Sequence, residues 1–387
     1  MRVAVVTEFY PRAYDPVLGI WAHRQAQATR AAGADLTVFV LHRIVPPKSA
    51  FTAAQFRRLA AQPRTAVLGG VPVHYVRFVA PPRSRSYATW SAWVAPALRH
   101  AVRAQGEFDL IHAHNAVPAG DAVLRARLQA PLIVSVHGGD VLWTAPRARG
   151  GEQAVRRTLG AARLTFANSE GIAALARRHG ATDTEVVHLG TDLPELLRRS
   201  ATPLLVTVGH LVARKRHADV IRALPRLPGD VRYLVIGDGP ERAPLARLAA
   251  DLGVADRVEL AGQVEPERAL ARSRTAWLFV MPSVDEAFGV AYIEAMAAGL
   301  PAIGVAGEPG PEEIAAAGGG IELVPAADPA GLAERIAALL ADPERWQSLS
   351  AAARTTVAEQ FSWERCGQRT VALYREVAAA AGWHRHA

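Results

Sequence analysis

Residues Val284 to Pro301 read VDEAFGVAYIEAMAAGLP and keep two carboxylates, Glu286 and Glu294, in an otherwise apolar segment. The run before it, Ala276 to Met281 (AWLFVM), is short and apolar and is closed by Pro282, which reads as a buried strand. From Val290 to Ala298 the spacing is helical, with Val290, Ile293 and Ala297 on one stripe. Gly299 and Pro301 stop that helix, and Ala302 to Val305 begins another strand. The unit is therefore strand, loop, helix, strand. In such a unit the loop after the first strand opens into the ligand crevice, where the free N–H groups of a helix start can hold an anion.

The same rhythm extends outward over the chain. Strand-like runs at Val3 to Thr7, Leu36 to Leu41, Leu110 to His114, Leu132 to His137 and Leu164 to Ala167 alternate with helical ones. Leu204 to Val208, Tyr233 to Ile236, Val258 to Leu260, Trp277 to Met281 and Ala302 to Val305 continue the pattern. Alternating β and α predicts parallel sheets with helices on both faces. A chain of 387 residues suits two domains of roughly 150 to 200 residues. The weakest point is Leu189 to Pro203, polar and bounded by proline, so the domains are expected at 1–195 and 196–361. Pro46 to Gly70, rich in Arg, Ala and Gln, reads as an insertion without an assigned element.

Composition narrows the function classes. A single cysteine, Cys366, excludes a disulfide framework, and no apolar run approaches the ~18 residues needed to cross a membrane. The start MRVAVVTEFYP is a poor secretion signal, because its short apolar run meets a glutamate, and a cytoplasmic protein is expected. Residues 1–200 hold 25 Lys and Arg against 13 Asp and Glu, whereas 201–387 hold 19 against 23. A basic half of this kind faces an anionic substrate or the anionic inner face of a membrane, or is a solvated arginine-rich surface. No zinc-finger spacing, aromatic RNA-binding signature or recognition-helix pattern is present, so nucleic acid is not the expected partner.

Several segments converge on one family. VDEAFGVAYIEAMAAGLPAIG resembles the signature of retaining glycosyltransferases of family 4, in which two glutamates flank seven residues. VTVGHLVARKRHADVIRAL (206–224) resembles that family's first strand and loop of the nucleotide-binding domain, and YLVIGDGPERAPLARLAADLGVADRVELAGQV (233–264) its next two units. DPVLGIWAHRQAQATRAAGADLTVF (15–39), DLIHAHNAVPAGDAVLRARLQAPLIVSVHGGDV (109–141) and FANSEGIAALARRHG (166–180) resemble members acting in cell-surface polysaccharide assembly, including the teichuronic-acid type. Agreement is weaker over 46–106.

The resemblance implies an α/β GT-B architecture, with two doubly wound Rossmann-like domains facing across a cleft. The C-terminal domain would hold a nucleotide diphosphate sugar and the N-terminal one a glycan, lipid-linked or small-molecule acceptor. The last helix, within 362–387, would pack back onto the first domain. Lys215 matches the family's phosphate-binding lysine, and His210 stands where the family carries a cationic arginine, with Arg214 and Arg216 as alternatives. The backbone of Phe288, Gly289 and Val290, at the helix start, would receive the diphosphate. Glu294 matches the residue that grips the ribose, and Glu286 the residue that holds hydroxyls of the transferred sugar. His137, before Gly138, Gly139 and Asp140, corresponds to the family's histidine beside the reacting carbon. Gly19 matches a first-loop glycine, with Leu18 where many relatives carry a second one. Glu312 resembles a further element near the donor.

His112 and His114 share one strand face and read either as a metal pair or, since no third ligand at zinc spacing accompanies them, as the lining of the acceptor cleft together with Asp140. No Asp-x-Asp triplet occurs, so catalysis without metal or other cofactor is expected. The family pattern further implies retention of configuration, with the departing diphosphate taking the acceptor's proton. The competing functions are a nucleotide-sugar 2-epimerase of the same architecture and a noncatalytic nucleotide-sugar-binding subunit.

Overall fold

The computed structural model describes residues 1–45, 52–262, 271–380 and 382. The first part of the Pro46 to Gly70 segment, and residues 381 and 383–387 of the expected final helix, lie outside the described residues. The chain forms two compact units, Met1–Leu189 joined by the chain from Trp363 onward, and Gly190–Ser362.

The first unit holds β1 (Arg2–Thr7), β2 (Asp35–Arg43), β3 (Thr65–Leu68), β4 (Val71–Phe78), β5 (Leu110–His114), β6 (Leu132–Val136), β7 (Leu164–Ala167) and β8 (Thr184–Val186). Their order in one sheet is β3-β4-β2-β1-β5-β6-β7-β8. Every pairing is parallel except the β3–β4 hairpin. The strands read from the sequence are the central ones, whose two faces are both covered and whose residues are therefore mainly apolar, with a few buried polar side chains such as His112, His114 and Ser135. The hairpin was not expected. In β4, Val71, Val73 and Tyr75 are buried while Pro72 is exposed, an alternating pattern that marks a half-covered strand toward the edge.

One face of this sheet carries the helices Ile20–Ala31 and Trp363–Ala380, which pack with Val3, Val5, Val38 and Val40 into a single core through Ala22, Ala26, Val371 and Tyr374. The two helices meet at Gly367, where an added Cβ would lie 2.2 Å from the carbonyl oxygen of Ala28. Only a residue without a side chain permits that approach.

The second unit holds β9 (Leu204–Val208), β10 (Arg232–Ile236), β11 (Val258–Gly262), β12 (Leu278–Val280), β13 (Ala302–Val305) and β14 (Ile321–Val324) in the order β11-β10-β9-β12-β13-β14, all parallel. The polar stretch after Leu189 is pinned to this unit by two arginines. Arg199 donates to the carbonyls of Arg274, Ala276, Ala298 and Gly299 at 2.7 to 3.1 Å and lies over the Trp346 ring. Arg354 donates to the carbonyls of Pro194 and Ala297. Strand order reverses between β1 and β5 in one unit and between β9 and β12 in the other. Each reversal opens a crevice at the carboxyl ends of the strands.

The contact at Gly367 yields a stability test. Gly367→Val should force the two helices apart at a cost of about 1–3 kcal/mol, the range for overpacking a well-filled core. At about 2–4 °C per kcal/mol for a unit of this size, calorimetry should record a transition lower by several degrees. An unchanged transition would mean that the helices do not meet there.

Candidate functional site

In the second unit two loops flank the reversal. The loop after β9 carries His210, Arg214 and Lys215, and the loop after β12 carries Ser283, Asp285 and Glu286 before the helix Val290–Ala297. The Val284 N–H donates to the Arg214 carbonyl at 2.9 Å, which ties the loops together. Lys215 Nζ lies 2.5 Å from Glu286 Oε2 and 3.4 Å from Met281 Sδ. Arg214 Nη1 approaches the same carboxylate oxygen at 3.5 Å, and the Ser283 hydroxyl donates to it at 3.2 Å. The Lys215 and Glu286 side chains are both about nine-tenths buried. Two cations thus converge on one carboxylate oxygen in a poorly solvated place.

The adjacent helix start adds donors. Gly289 holds φ at 90°, and no side chain caps the helix that follows. A Cβ at Gly289 would fall 2.5 Å from the Tyr292 ring, so glycine is required by both backbone conformation and space. Phe288 is buried against Phe361, with ring centroids 5.5 Å apart, and anchors the loop from below. The Glu286 N–H donates to Glu308 Oε2 at 3.2 Å, and burial raises the Glu308 carboxyl above its ordinary range. Glu294 projects from the helix and is exposed. Protein bulk around it pushes its carboxyl up to about 7, yet access of water to the side chain weakens that shift.

His210 is exposed at the loop surface, with Nδ1 3.3 Å from the Asp238 carbonyl, and Arg216 is engaged with Asp219 at 2.6 Å. Of the cations considered for the phosphate, Lys215 and Arg214 are the two that meet at Glu286. Glu312 accepts the Gly307 N–H at 2.7 Å, a local helix-start bond.

In the first unit the reversal is lined by histidines. His112 and His114 are fully buried on β5, and His137 follows β6. Both ring nitrogens of His112 are occupied, Nδ1 by the Tyr374 hydroxyl at 2.6 Å and Nε2 by the Ser135 hydroxyl at 2.7 Å. His114 Nδ1 lies 3.1 Å from His137 Nε2, and the Trp21 indole packs 4.1 Å from the His137 ring centre. Burial holds His112 and His137 well below the ordinary imidazole range and His114 at about 3, so this column is neutral at physiological pH. Among the described residues no group of three or more His, Cys, Asp or Glu side chains is arranged to hold a metal ion.

Asp140 lies beneath the loops. It accepts from Asn115 Nδ2 at 3.1 Å and from the Val117 N–H at 3.2 Å, and burial raises its carboxyl to about 6 against those bonds. Gly19 starts the helix Ile20–Ala31 at φ 65°, and a Cβ there would lie 2.2 Å from the Phe9 carbonyl carbon. Its small size serves the chain's own loop packing. Reasoning from sequence missed Trp21, Tyr87, Ser283, Glu308 and Glu8. For Glu8 a signal was available, since an acid directly after an apolar first strand sits where parallel sheets bind ligands. Among the described residues no helix is long and apolar enough to cross a membrane.

Known proteins share the family and the fold of this chain. The model described as Glycosyltransferase Family 4 matches residues 18–195, and that described as Glycosyl transferases group 1 matches residues 191–356. The chain is 26% identical over 320 residues to the putative teichuronic acid biosynthesis glycosyltransferase TuaC of Bacillus subtilis, covering 78% of this chain and 80% of the relative. It is 32% identical over 323 residues to a D-inositol 3-phosphate glycosyltransferase of Streptomyces bingchenggensis, covering 72% of this chain and 69% of that one. Among solved structures, Anabaena Alr3699/HepE in complex with UDP and glucose superposes with a TM-score of 0.71 at 19% identity, over 97% of this chain and all of the other, a likeness of fold. Two parallel-sheet Rossmann-like units and both family matches lead to one conclusion: this chain belongs to the group 1 glycosyl transferases, with a family 4 amino-terminal domain and the GT-B fold.

Proposed function

We propose that this protein is a retaining glycosyltransferase that moves a sugar from a nucleoside diphosphate sugar to a glycan, lipid-linked or small-molecule acceptor in cell-surface glycan synthesis, without a metal ion. The observation that carries the reading is the meeting of Lys215 and Arg214 at Glu286 Oε2, beside the uncapped helix start at Gly289. A departing diphosphate gains negative charge as the glycosidic bond breaks, and fixed positive charge with N–H donors stabilises it most where water is scarce. The diphosphate draws Lys215 away from Glu286, and the released carboxylate oxygen accepts hydroxyls of the transferred sugar. Glu294, open to solvent one turn into the helix, accepts the ribose hydroxyls. Neutral His137 lies beside the reacting carbon, and the diphosphate takes the acceptor's proton on the face it leaves.

The names of relatives support this reading. One is a putative teichuronic acid biosynthesis enzyme, one acts on D-inositol 3-phosphate, and one neighbour is bound to UDP and glucose. The deciding experiment incubates the purified chain with UDP-, GDP- and ADP-sugars, with and without acceptor, and follows nucleotide release and the anomeric configuration of product by NMR. Release of nucleoside diphosphate with a retained product is expected. An epimerised donor or no turnover with any donor would overturn the proposal. The same assay after exhaustive EDTA treatment should run undiminished, and complete loss restored by Mg²⁺ or Mn²⁺ would overturn the metal-free mechanism.

Lys215→Ala should lower turnover by about 10²-fold or more, the scale for losing one charge-stabilising donor. A near-native rate would transfer that role to Arg214.

The two glutamates should separate kinetically. Ribose contacts are alike before and during bond breaking, so Glu294→Gln should mainly raise donor KM. The transferred sugar gains positive charge in the transition state, so Glu286→Gln should cut kcat by about 10²- to 10³-fold if roughly 3 kcal/mol is lost. Steady-state kinetics on both variants, with circular dichroism to confirm folding, checks this. The reverse pattern would place the carboxylates at the opposite ends of the donor.

A further inference from the structure

Glu8 stands immediately after β1, at the carboxyl end of the strand that borders the order reversal of the first unit. The residue is only 8% exposed. Its Oε2 accepts the Tyr87 hydroxyl at 2.7 Å, and that hydroxyl also lies 3.3 Å from the Val117 carbonyl. Val117 is in turn tied to Asp140, so the network joins the loops after β1, β5 and β6. The Arg83 guanidinium covers the Tyr87 ring at 4.1 Å.

Among the described residues Glu8 has no ion-pair partner in direct contact. Arg12 donates to its backbone carbonyl at 2.9 Å, not to its carboxylate. Among the described residues no Lys, Arg or His nitrogen lies within 4.0 Å of the carboxylate oxygens. Arg43 responds to it from further away: burial lowers the Arg43 pKa and the Glu8 charge partly restores it. Among the described residues Oε1 accepts no hydrogen bond, yet it is not one of the buried unpaired atoms, so it reaches solvent.

Removing a carboxylate from water without an ion pair costs several kcal/mol. Holding the Tyr87 hydroxyl does not require that charge, since an amide or carbonyl oxygen would accept the same bond. A carboxylate only accepts hydrogen bonds, so its open oxygen selects a ligand that presents O–H or N–H groups. In a glycosyl acceptor those groups are hydroxyls. We propose that Glu8 binds hydroxyls of the acceptor, a polyol such as a sugar or cyclitol, with Tyr87 as the residue that positions its carboxylate. This rests on the glycosyltransferase reading above.

The test compares Glu8→Gln, Tyr87→Phe and the unmodified protein, using methyl glucoside, methyl galactoside, methyl mannoside and myo-inositol as acceptor probes. Transfer kinetics, donor hydrolysis without acceptor, and saturation-transfer NMR of the probes are recorded for each. Losing a hydrogen bond to a charged group should raise the acceptor KM of Glu8→Gln at least about tenfold. Tyr87→Phe should raise it less, and donor hydrolysis should stay within about twofold in both. An unchanged acceptor KM in Glu8→Gln, or a parallel loss of donor hydrolysis, would overturn the proposal. So would an unmodified protein that hydrolyses donor but neither uses nor binds any probe. If the unmodified protein turns over no donor, the glycosyltransferase reading fails instead, and NMR alone decides Glu8: probe signals lost in Glu8→Gln support it, while equal or absent signals overturn it.

Discussion

Parallel pairing is the constraint from which the rest of this structure follows. Strands that run parallel place their carboxyl ends on one edge, where the loops that follow several strands meet and, at an order reversal, part to open a crevice. In the second unit the meeting point lies between β9 and β12, and there Lys215, Arg214 and Glu286 converge. In the first unit it lies between β1 and β5, where Glu8, His114, His137 and Asp140 stand at the ends of three strands. Residues far apart in sequence share a site because the sheet order reverses once in each unit.

The two edges differ in electrostatics. The second unit concentrates charge, with two cations around one carboxylate beside a helix start, and so suits an anion. In the first unit the histidine column is uncharged. Three histidines are kept neutral by burial, and Asp140 is consumed by bonds to Asn115 and Val117. Glu8 differs in having one carboxylate oxygen committed to Tyr87 and the other open.

The central strands were legible in the amino-acid sequence because both of their faces are covered, which favours mainly apolar runs such as Leu204 to Val208 and Leu132 to Val136. Strands β3, β4, β8 and β14 were not, because these strands at or near a sheet edge alternate or mix polar residues, and β8 keeps only partly buried side chains, although the edge strand β11 was read from its Val258 to Leu260 run. The linker showed itself only as a loss of pattern. That Arg199 and Arg354 fasten it to backbone carbonyls could not be read, since carbonyl acceptors leave no trace in residue type.

By itself the sequence determined the alternating α/β plan, the positions of the two decisive loops and the identity of the residues on them, because periodicity and glycine placement are local properties. Only the tertiary structure decided which of these residues meet. It paired Lys215 with Glu286 rather than leaving both free, set His210 out at the surface, and gave both nitrogens of His112 to Ser135 and to Tyr374 on a helix from the far end of the chain. It also exposed Glu294 while burying Glu8. Contacts of this kind depend on how strands far apart in sequence are ordered in the sheet, and sheet order is fixed by packing of the whole unit rather than by any window of residues.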